Sequence, residues 1–452
     1  MMMRLPLGSM SLCFVLSGIA VQAHTQAPTW ENGVANIIQA KCAPCHKPGE
    51  AAPFALTSYE QVSRRGSFIK QVIENGYMPP WKPDKHYVQY DNDRSLTAAE
   101  KKILLNWIEN KMPRGNAAPT PPAPVLIPKL NTNYHRLPDT TITMQTPFVV
   151  PGDSYERFVI VKIPIELPDS ANVEAIEFVS NNKKLIHHVN YSIHPVAEDI
   201  PLNLGPNLLN LAEEDPALSE QWKPFKKTIS YYGGWIPGAS FEAYPKGMGW
   251  VMPKRGVMLL TLHFAPSAVT DSCIAGINLF YTSQPVLRKV KVISFGSGGI
   301  GEAQISPPLR LLPNQVRTFT LGLSNPAEDF SVMYVWPHMH LLGKKFKAYA
   351  VSPKGDTIRL AYIPDWDFRW QEIYRFKKLV PIPRGSKLFI EGTYDNTANN
   401  PFNPYNPPRM IYSTANMETT NEMLTLMMVY LPYEKGDENL SIALPRPGKT
   451  SN

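Results

Sequence analysis

Frequent prolines and glycines limit the length of any helix or strand in this chain. The 452 residues include 45 prolines and 27 glycines, a content that favours many turns. From about residue 129 onwards the apolar runs are short, rich in β-branched residues and bounded by proline or glycine, as in FVIVKIPIEL and GVMLLTLHFAP. Such runs are typical of β-strands. We therefore predict two antiparallel β-sandwiches of roughly 150 residues each.

The stretch before this β-rich part has a helical pattern. TWENGVANIIQAKC places apolar residues at the spacing of an amphipathic helix. SLTAAEKKILLNWIENKMP begins with a capping box formed by Thr97 and Glu100. We therefore predict a small all-α domain over residues 24–116. The proline-rich AAPTPPAPVLIP, residues 117–128, is predicted to be a stiff linker.

The first 23 residues have the features of a secretory signal. An arginine precedes an apolar run from Met10 to Val21, and Val21 and Ala23 suit cleavage after Ala23. An uncleaved anchor is the alternative, but the run is too short to span a bilayer comfortably. No later stretch approaches about 18 apolar residues, so we expect no transmembrane segment in the mature chain. We predict a periplasmic or secreted protein, and we interpret the N-terminal His24 left by cleavage as an accident of the cut site.

Charge and cysteine content narrow the function classes. The formal net charge is +7, but the chain has no run of Lys and Arg and no basic stripe with interleaved aromatic residues. Binding to nucleic acid is therefore not expected. Of the four cysteines, Cys13 would leave with the signal and Cys273 is isolated. With no disulfide framework, the protein must be held together by its hydrophobic cores.

The other two cysteines belong to the motif CAPCH, which contains Cys42, Cys45 and His46. C-x-x-C-H is the signature of covalently attached c-type haem. Two thiols at this spacing add to the two vinyl groups of one porphyrin, and the adjacent imidazole then lies over the iron. The alternatives are a thiol–disulfide pair and half of a zinc site. The adjacent histidine and the lack of a second cysteine pair argue against both.

The sixth iron ligand should come later in the chain. Met78, in the proline-rich ENGYMPPW, is the best candidate because a thioether on haem iron suits electron transfer. His86 and Met112 are the alternatives. CAPCHKPGE, YMPPW and the final helix together resemble small class I cytochrome c domains over roughly residues 30–115. This resemblance implies one haem c in the N-terminal domain.

Two histidines in WPHMH, His338 and His340, form a second motif. The segment has the pattern of a strand, and side chains two residues apart on a strand point to the same face, about 6–7 Å apart. Two imidazoles placed in this way can share one metal ion. No histidine or cysteine follows them, so the soft donor left is methionine, and Met423 heads the last long strand. A thioether ligand selects copper.

The remaining clustered histidines are His187 and His188 in KLIHHVNYSIH and His263 in LLTLHFAP. Adjacent strand residues face opposite ways. His187 and His188 can therefore reach one metal only at a bulge or a strand end, or through different ring nitrogens. His194 would lie about 20 Å farther along an extended strand and is not expected to join them. His263 is the best candidate for the third ligand, which gives one site with three histidines and one site with two histidines and a methionine.

These motifs together resemble the copper type II, ascorbate-dependent monooxygenases, which include peptidylglycine α-hydroxylating monooxygenase and dopamine β-monooxygenase. HHVNYSIH, LLTLHFAP, HMHLLGKKF and TTNEM occur in the family's order over roughly residues 140–435. The resemblance implies two jelly-roll-like sandwiches that face each other across a solvent-filled cleft. It also implies insertion of one oxygen atom of O2 into an aliphatic C–H bond. The resemblance implies that His187, His188 and His263 bind the electron-transfer copper. It implies that His338, His340 and Met423 bind the catalytic, oxygen-binding copper.

The sequence departs from this family near the expected substrate site. Trp336 stands where the peptidylglycine enzymes have an arginine that binds the substrate carboxylate. Thr425 and Met427 stand where those enzymes have an asparagine and a tyrosine. A peptide C-terminus is therefore a poor substrate candidate, and we expect a more apolar pocket. The family's disulfides are also missing, because only Cys273 remains in this region.

The predicted fold class is a small all-α cytochrome c domain followed by two antiparallel, jelly-roll-like β-sandwiches. The predicted function is a periplasmic copper monooxygenase that hydroxylates an aliphatic C–H of a small organic substrate with O2. It would use two copper ions and one haem c that passes electrons from an external donor, with ascorbate as another candidate reductant. The alternatives are a copper- and haem-containing electron-transfer or copper-binding protein without oxygenase activity, and an enzyme with zinc or iron at both sites. The predicted segments are a signal peptide (1–23), the haem domain (24–116), a linker (117–128), a sandwich with the three-histidine site (129–297), a sandwich with the histidine–methionine site (298–445) and a tail (446–452).

Overall fold

The computed structural model describes residues 27–116, 132–211, 218, 220–239, 241–324, 328–413 and 418–443. The predicted signal segment with its cleavage site, His24, the predicted linker and the predicted tail lie outside these residues. Among the helices that the structure describes, none combines the length and the apolar character needed to cross a membrane.

The helices α1 to α4 precede the β-rich part of the chain. Their apolar side chains, with the fully buried Trp107 at the centre, form a small core. The predicted capping box is confirmed, because the Thr97 hydroxyl accepts from the Glu100 N–H and the Glu100 carboxylate accepts from the Thr97 N–H. The bounds are α1 (Val34–Lys41), α2 (Tyr59–Ser63), α3 (Gly66–Glu74) and α4 (Ala98–Glu109).

A first β-rich unit follows, built from two larger sheets. Its strands are β1 (Thr140–Thr143), β2 (Phe148–Val150), β3 (Arg157–Glu166), β4 (Ala171–Ser180), β5 (Ile186–Pro195), β6 (Leu208–Asn210), β7 (Tyr231–Trp235), β8 (Phe241–Ala243), β9 (Met248–Met252), β10 (Arg255–Phe264), β11 (Asp271–Cys273), β12 (Ala275–Tyr281) and β13 (Arg288–Lys289). The sheet orders are β1-β12-β4-β9-β13, with β8 also paired to β4, and β6-β3-β10-β5-β7, while β11 pairs with β2. Central strand β10 is buried along most of its length, because β3 and β5 flank it and both of its faces are covered.

A second β-rich unit completes the described chain. Its strands are β14 (Lys291–Gly296), β15 (Ile300–Gly301), β16 (Arg310–Leu311), β17 (Gln315–Ser324), β18 (Phe330–His338), β19 (Gly343–Val351), β20 (Thr357–Ile363), β21 (Tyr374–Ile382), β22 (Lys387–Asn396), β23 (Ile411–Tyr412) and β24 (Thr425–Pro432). The sheet orders are β15-β14-β24-β18-β21 and β17-β22-β19-β20, while β16 pairs with β23. Strand β22 alternates buried and less buried residues, the pattern of a sheet with one face in the core. Strand β14 lies before the predicted boundary at 297 and pairs with β24; the domain boundaries stay a prediction.

The predicted fold class is wrong, because the helices do not form a separate small all-α domain. Tyr90, which follows α3, belongs to the same hydrophobic core as both β-rich units and is 3% exposed. Its hydroxyl donates to the Leu360 carbonyl at 2.6 Å, and it forms an antiparallel bridge with Phe376. The Asp91 N–H donates to the Arg375 carbonyl at 2.7 Å. Residues 81–92 thus pack against the second β-rich unit. The protein is a mainly β structure to which the helices are attached.

The physical reason lies in where the apolar side chains of that loop are buried. Trp81 and Val88 pack against the β core, and the Trp81 ring meets the Tyr374 ring edge-on at 5.4 Å. Neither side chain belongs to the helical core that contains Trp107, so the strands bury them. The sheets also depart from the predicted antiparallel pattern, because β13 pairs with β9, and β15 with β14, in parallel.

Candidate metal centre

Three histidines of the first β-rich unit meet at one end of the sheet that contains β5 and β10. His187 and His188 lie at the beginning of β5, and His263 lies opposite His188 near the end of β10. The register of the two strands shifts between His263 and Phe264, which is a β-bulge. A strand end and a bulge are the two places where adjacent histidines can face one metal. The structure therefore brings the predicted His187, His188 and His263 together.

The Nδ1 atoms of these three rings form a small triangle. The distance is 3.1 Å between His187 and His188, 3.2 Å between His187 and His263, and 3.4 Å between His188 and His263. The centre of such a triangle lies about 1.9 Å from each nitrogen, close to the metal–imidazole distance of about 2.0 Å. Burial, reinforced by the neighbouring histidines, lowers the pKa of His187 to about 3 and the pKa of His188 well below its ordinary value. Both rings are therefore neutral at pH 7 and can present lone pairs to a cation.

The outer nitrogens of two of these rings are held by hydrogen bonds. His263 Nε2 donates to Glu156 Oε2 at 2.9 Å, and a ring nitrogen of His187 donates to the Phe368 carbonyl. These bonds fix the tautomers in which the inward Nδ1 atoms carry lone pairs, as in carboxylate–histidine–metal sites. The second oxygen of Glu156 accepts from the hydroxyl of Thr419 in the other β-rich unit. Glu156 therefore holds a histidine of one unit and a loop of the other.

The second histidine pair lies at the end of β18. His338 Nε2 and His340 Nε2 are 3.2 Å apart. His338 Nδ1 donates to Gln371 Oε1 at 2.6 Å, and His340 Nδ1 donates to the Asn421 carbonyl at 3.0 Å. The two Nε2 lone pairs therefore point toward each other, an arrangement that a shared cation stabilises. Burial lowers the pKa of His338 to about 4 and that of His340 well below its ordinary value, so both rings are neutral at pH 7.

Met423 lies just before β24 and lines the same cavity as His338 and His340. Its position depends on Glu422, a fully buried residue that sequence reasoning missed. The Glu422 carboxylate accepts the backbone N–H of His340 at 2.9 Å, of Leu342 at 2.6 Å and of Met423 at 3.3 Å. Burial raises the pKa of Glu422 to about 8, and the three N–H groups oppose this rise. The only signal in the sequence was a charged residue next to the predicted ligand methionine.

One cavity of about 370 Å³ is lined by residues of both histidine clusters. The rings of His188 and His338 are 6.0 Å apart between centroids, so the two clusters face each other closely. Trp336, the predicted departure from the family, forms part of the wall. The other wall residues mix apolar and polar side chains and include Phe158, Asn190, Tyr232, Thr261, Phe368, Thr425 and Met427. A neighbouring cavity of about 450 Å³ shares Tyr232, Ser294, Gly298 and Met427 with it.

The cysteine motif forms a turn directly after α1. The N–H groups of Cys45 and His46 both donate to the Cys42 carbonyl, at 3.2 and 3.0 Å. Both cysteines are free, and burial raises the pKa of the Cys42 thiol to about 12 and raises that of Cys45, so neither is a thiolate at pH 7. His46 Nδ1 donates to the Phe54 carbonyl at 2.9 Å, which leaves Nε2 as a lone-pair donor. This donor set fits covalent haem.

An exposed aromatic ring lies near this turn. The Phe54 ring lies 4.8 Å from the His46 ring, and Phe68, which contacts Phe54 at 6.4 Å, is 51% exposed on α3. An apolar planar group such as a porphyrin would cover such surface. Met78 is half-buried, and its N–H donates to the Val72 carbonyl at 2.9 Å.

The other residues weighed for a role are accounted for by ordinary contacts. Met112 packs its sulfur against Gly66, and His86 is exposed. His194 stands apart from the cluster, because its two nitrogens bond the Thr228 carbonyl at 2.8 Å and the Ser192 hydroxyl at 2.9 Å.

Comparison with known proteins gives a sequence likeness to a monooxygenase. No family model matches the chain. DBH-like monooxygenase protein 1 of Gallus gallus is 23% identical over 294 residues, which cover 60% of this chain and 43% of that protein. The chain thus spans less than half of the relative's length.

Two of the solved structures that are similar to this chain share only a low TM-score with it. A subviral particle of infectious bursal disease virus VP2 covers 67% of this chain and 82% of its own at 11% identity, with a TM-score of 0.15. The PBSX exported protein XepA covers 55% of this chain and 86% of its own at 9% identity, with a TM-score of 0.13. Similarities this low carry no argument. The sequence relative, together with the histidine cluster, supports a likeness of this chain to the monooxygenases.

Proposed function

We propose that this protein is a copper-dependent monooxygenase that hydroxylates an aliphatic C–H bond of a small organic substrate with O2. The observation that carries the proposal is the cavity lined by His188 of the three-histidine cluster and by His338, His340 and Met423 of the other cluster. In four of the five rings an outer hydrogen bond leaves the inward nitrogen as a lone-pair donor. The name of the sequence relative supports the same class of reaction.

The donor sets differ in a way that suits two roles. Three imidazoles, of His187, His188 and His263, suit a copper that relays an electron. Adding a thioether, as Met423 would do beside His338 and His340, favours reduced copper. Copper at these two sites would supply oxygen activation and electron storage, and the overall reaction consumes O2, two electrons and two protons per hydroxyl group and water formed.

The chain's own residues prepare the site for this chemistry. Glu156, Gln371 and the carbonyls of Phe368 and Asn421 orient the rings. Glu422 fixes the backbone around His340 and Met423. Trp336 and the other apolar wall residues favour an apolar substrate and limit water in the cavity.

We further propose that a c-type haem supplies the electrons. Cys42 and Cys45 would bind it covalently, and His46 Nε2 and Met78 would be the protein ligands of the iron. Such a group would carry single electrons from an external donor. We also propose export of the protein after cleavage behind Ala23, since the predicted signal segment and two free thiols suitable for haem attachment occur in one chain.

Metal analysis and O2 uptake of the copper-loaded protein with a reductant test the proposal. Wild type should hold two copper ions and one haem per chain and consume O2. Met423→Ala should abolish the uptake and retain the haem. Met410→Ala is the matched control, because Met410 is 49% exposed and does not line the cavity.

Uptake that does not depend on Met423 would overturn the assignment of the catalytic site. Haem and copper without any O2 uptake would favour the electron-transfer alternative. Zinc or iron in place of copper at both sites would contradict the choice of metal.

A further inference from the structure

One short segment touches the helical part of the chain and both histidine clusters. It comprises residues 365–373, between β20 and β21, and contains a 3-10 turn at Phe368–Trp370. We call it the bridging segment. It belongs to the second β-rich unit, yet it supplies outer hydrogen-bond partners to a histidine of each cluster.

The inner side of the bridging segment faces the histidines. The Phe368 carbonyl accepts a hydrogen bond from the His187 ring, and the Phe368 ring lies 4.8 Å from that ring. Gln371 Oε1 accepts from His338. The Phe368 ring is farther from His340, at 5.7 Å, and no carbonyl bond joins those two residues. Phe368 thus contacts His187 both through its carbonyl and through its ring, and Gln371 contacts His338 through one hydrogen bond at 2.6 Å.

The outer side of the bridging segment faces the loop that carries Met78. The Trp370 ring meets the Tyr77 ring edge-on at 5.6 Å, and the Arg369 guanidinium lies over the Tyr77 ring at 5.5 Å. Tyr77 directly precedes Met78, the proposed iron ligand.

Further contacts fasten the two parts to each other. Lys82 pairs with Asp365 at 2.7 Å, and the Asn92 side chain donates to the Ile373 carbonyl at 2.8 Å. These two contacts join both ends of the bridging segment to the loop that follows Met78.

We propose that the bridging segment is the route by which electrons pass from the haem to the three-histidine copper, through Tyr77, Trp370, Phe368 and His187. The inference rests on the proposed function. Each transfer would oxidise ferrous haem to ferric and reduce the cupric site to cuprous, with no atom or proton moved. An external donor then reduces the haem again.

The geometry favours this route because few of its steps are non-covalent. Trp370 and Phe368 are joined covalently through one turn, so the path contains one ring–ring contact and one hydrogen bond between Tyr77 and His187. A competing connection runs from Glu50, close to the cysteine motif, through its ion pair with Lys183 at 3.2 Å. Lys183 lies four residues before His187, but its ammonium lies over the Trp235 ring, at 5.6 Å, rather than against the His187 ring.

The test uses the full-length protein with haem and Cu(II) in place, without O2 or substrate. A laser flash in the presence of a flavin reduces the haem, and haem absorbance then reports its reoxidation by copper. In wild type the reoxidation should be independent of protein concentration and absent without copper. Tyr77→Leu and Trp370→Leu should each slow it several-fold, while the haem spectrum and the copper EPR signal stay unchanged.

Tyr87→Leu is the matched control. Tyr87 lies at the same interface and contacts the Tyr362 ring at 5.5 Å, but it stands off the route. If both Tyr77→Leu and Trp370→Leu transfer electrons at the wild-type rate, the route is wrong although haem-to-copper transfer stands. If Lys183→Met alone slows the transfer, the competing route is correct. If wild-type haem is never reoxidised by copper, the proposed electron delivery fails and the route fails with it.

Discussion

Removing the carboxylate of Glu156 should weaken metal binding by the cluster of His187, His188 and His263. The carboxylate accepts from His263 Nε2 at 2.9 Å, and His263 is only 2% exposed. In Glu156→Ala the ring loses the partner that fixes its tautomer and orientation. Loss of such an outer partner typically lowers metal affinity about 10- to 100-fold, which is about 1.4–2.7 kcal/mol.

The solvent exposure of the Glu156 carboxylate indicates how large the loss of metal affinity should be in each variant. The Glu156 side chain is 31% exposed, so its charge is partly screened by water. Glu156→Gln keeps an oxygen that can accept from His263, and it should lie near the tenfold end. Glu156→Ala loses both the charge and the acceptor and should lie nearer the hundredfold end.

The assay is a competition titration of Cu(II) against a chelator of known affinity at pH 7. Thr419→Val is one control, because it removes the bond between the two units but leaves the bond between Glu156 and His263. Glu166→Ala is a second control, since Glu166 lies at the far end of β3 with a side chain that is 75% exposed. Wild-type affinity in Glu156→Ala would refute the reasoning, and so would an equal loss in Thr419→Val.

Three further changes probe other buried groups. Glu242 accepts hydrogen bonds from two tyrosines, and burial raises its pKa above the ordinary value near 4.5, so the folded protein keeps a proton that the unfolded chain releases. The free energy of unfolding should therefore fall as pH rises from about 4.5 through the folded-state pKa, and urea titrations of Glu242→Gln should lose this slope. Glu422→Ala leaves three buried N–H groups without an acceptor, at about 1–3 kcal/mol each, and should lower stability by about 3 kcal/mol or more in urea titrations and release metal from His340. Gly234→Ala places a methyl group against the Trp336 ring and the Val189 carbonyl, and should lower stability by about 1–3 kcal/mol in thermal melts.

Each of these expectations has a contradicting result. An unchanged pH slope in Glu242→Gln would show that another group dominates the linkage. Near-wild-type stability of Glu422→Ala would mean that water satisfies the three N–H groups. A neutral Gly234→Ala would mean that the Trp336 ring moves aside freely.

The histidine clusters could be predicted because their geometry is set locally. The H-x-H spacing places His338 and His340 on one side of a strand end, and the HH pair needs only a strand end or a bulge. The structure shows both features beside His187 and His263.

The partners of those histidines could not be predicted, because they come from distant loops. Glu156 precedes β3, and Gln371 lies in the bridging segment, with nothing in the local sequence to mark either as a partner. The fold class failed for a related reason. A helical pattern shows that helices form, but it does not show that Trp81 and Tyr90 in the loop between them are buried by strands of another unit.

The burial of Tyr90 has a consequence for any attempt to replace the N-terminal helical part, which carries the proposed haem motif, with another protein. Its ring stacks on Tyr374 at 4.9 Å and lies 5.5 Å from Phe376, and with Tyr90 in place both of those rings are nearly inaccessible to solvent. A shortened chain that began at residue 117 would lack Tyr90 and would expose the rings of Tyr374 and Phe376. Such a chain would be prone to self-association. A chimera in which another electron carrier replaces the N-terminal helical part would need to retain residues 81–92. These residues cover the hydrophobic core of the β-rich units.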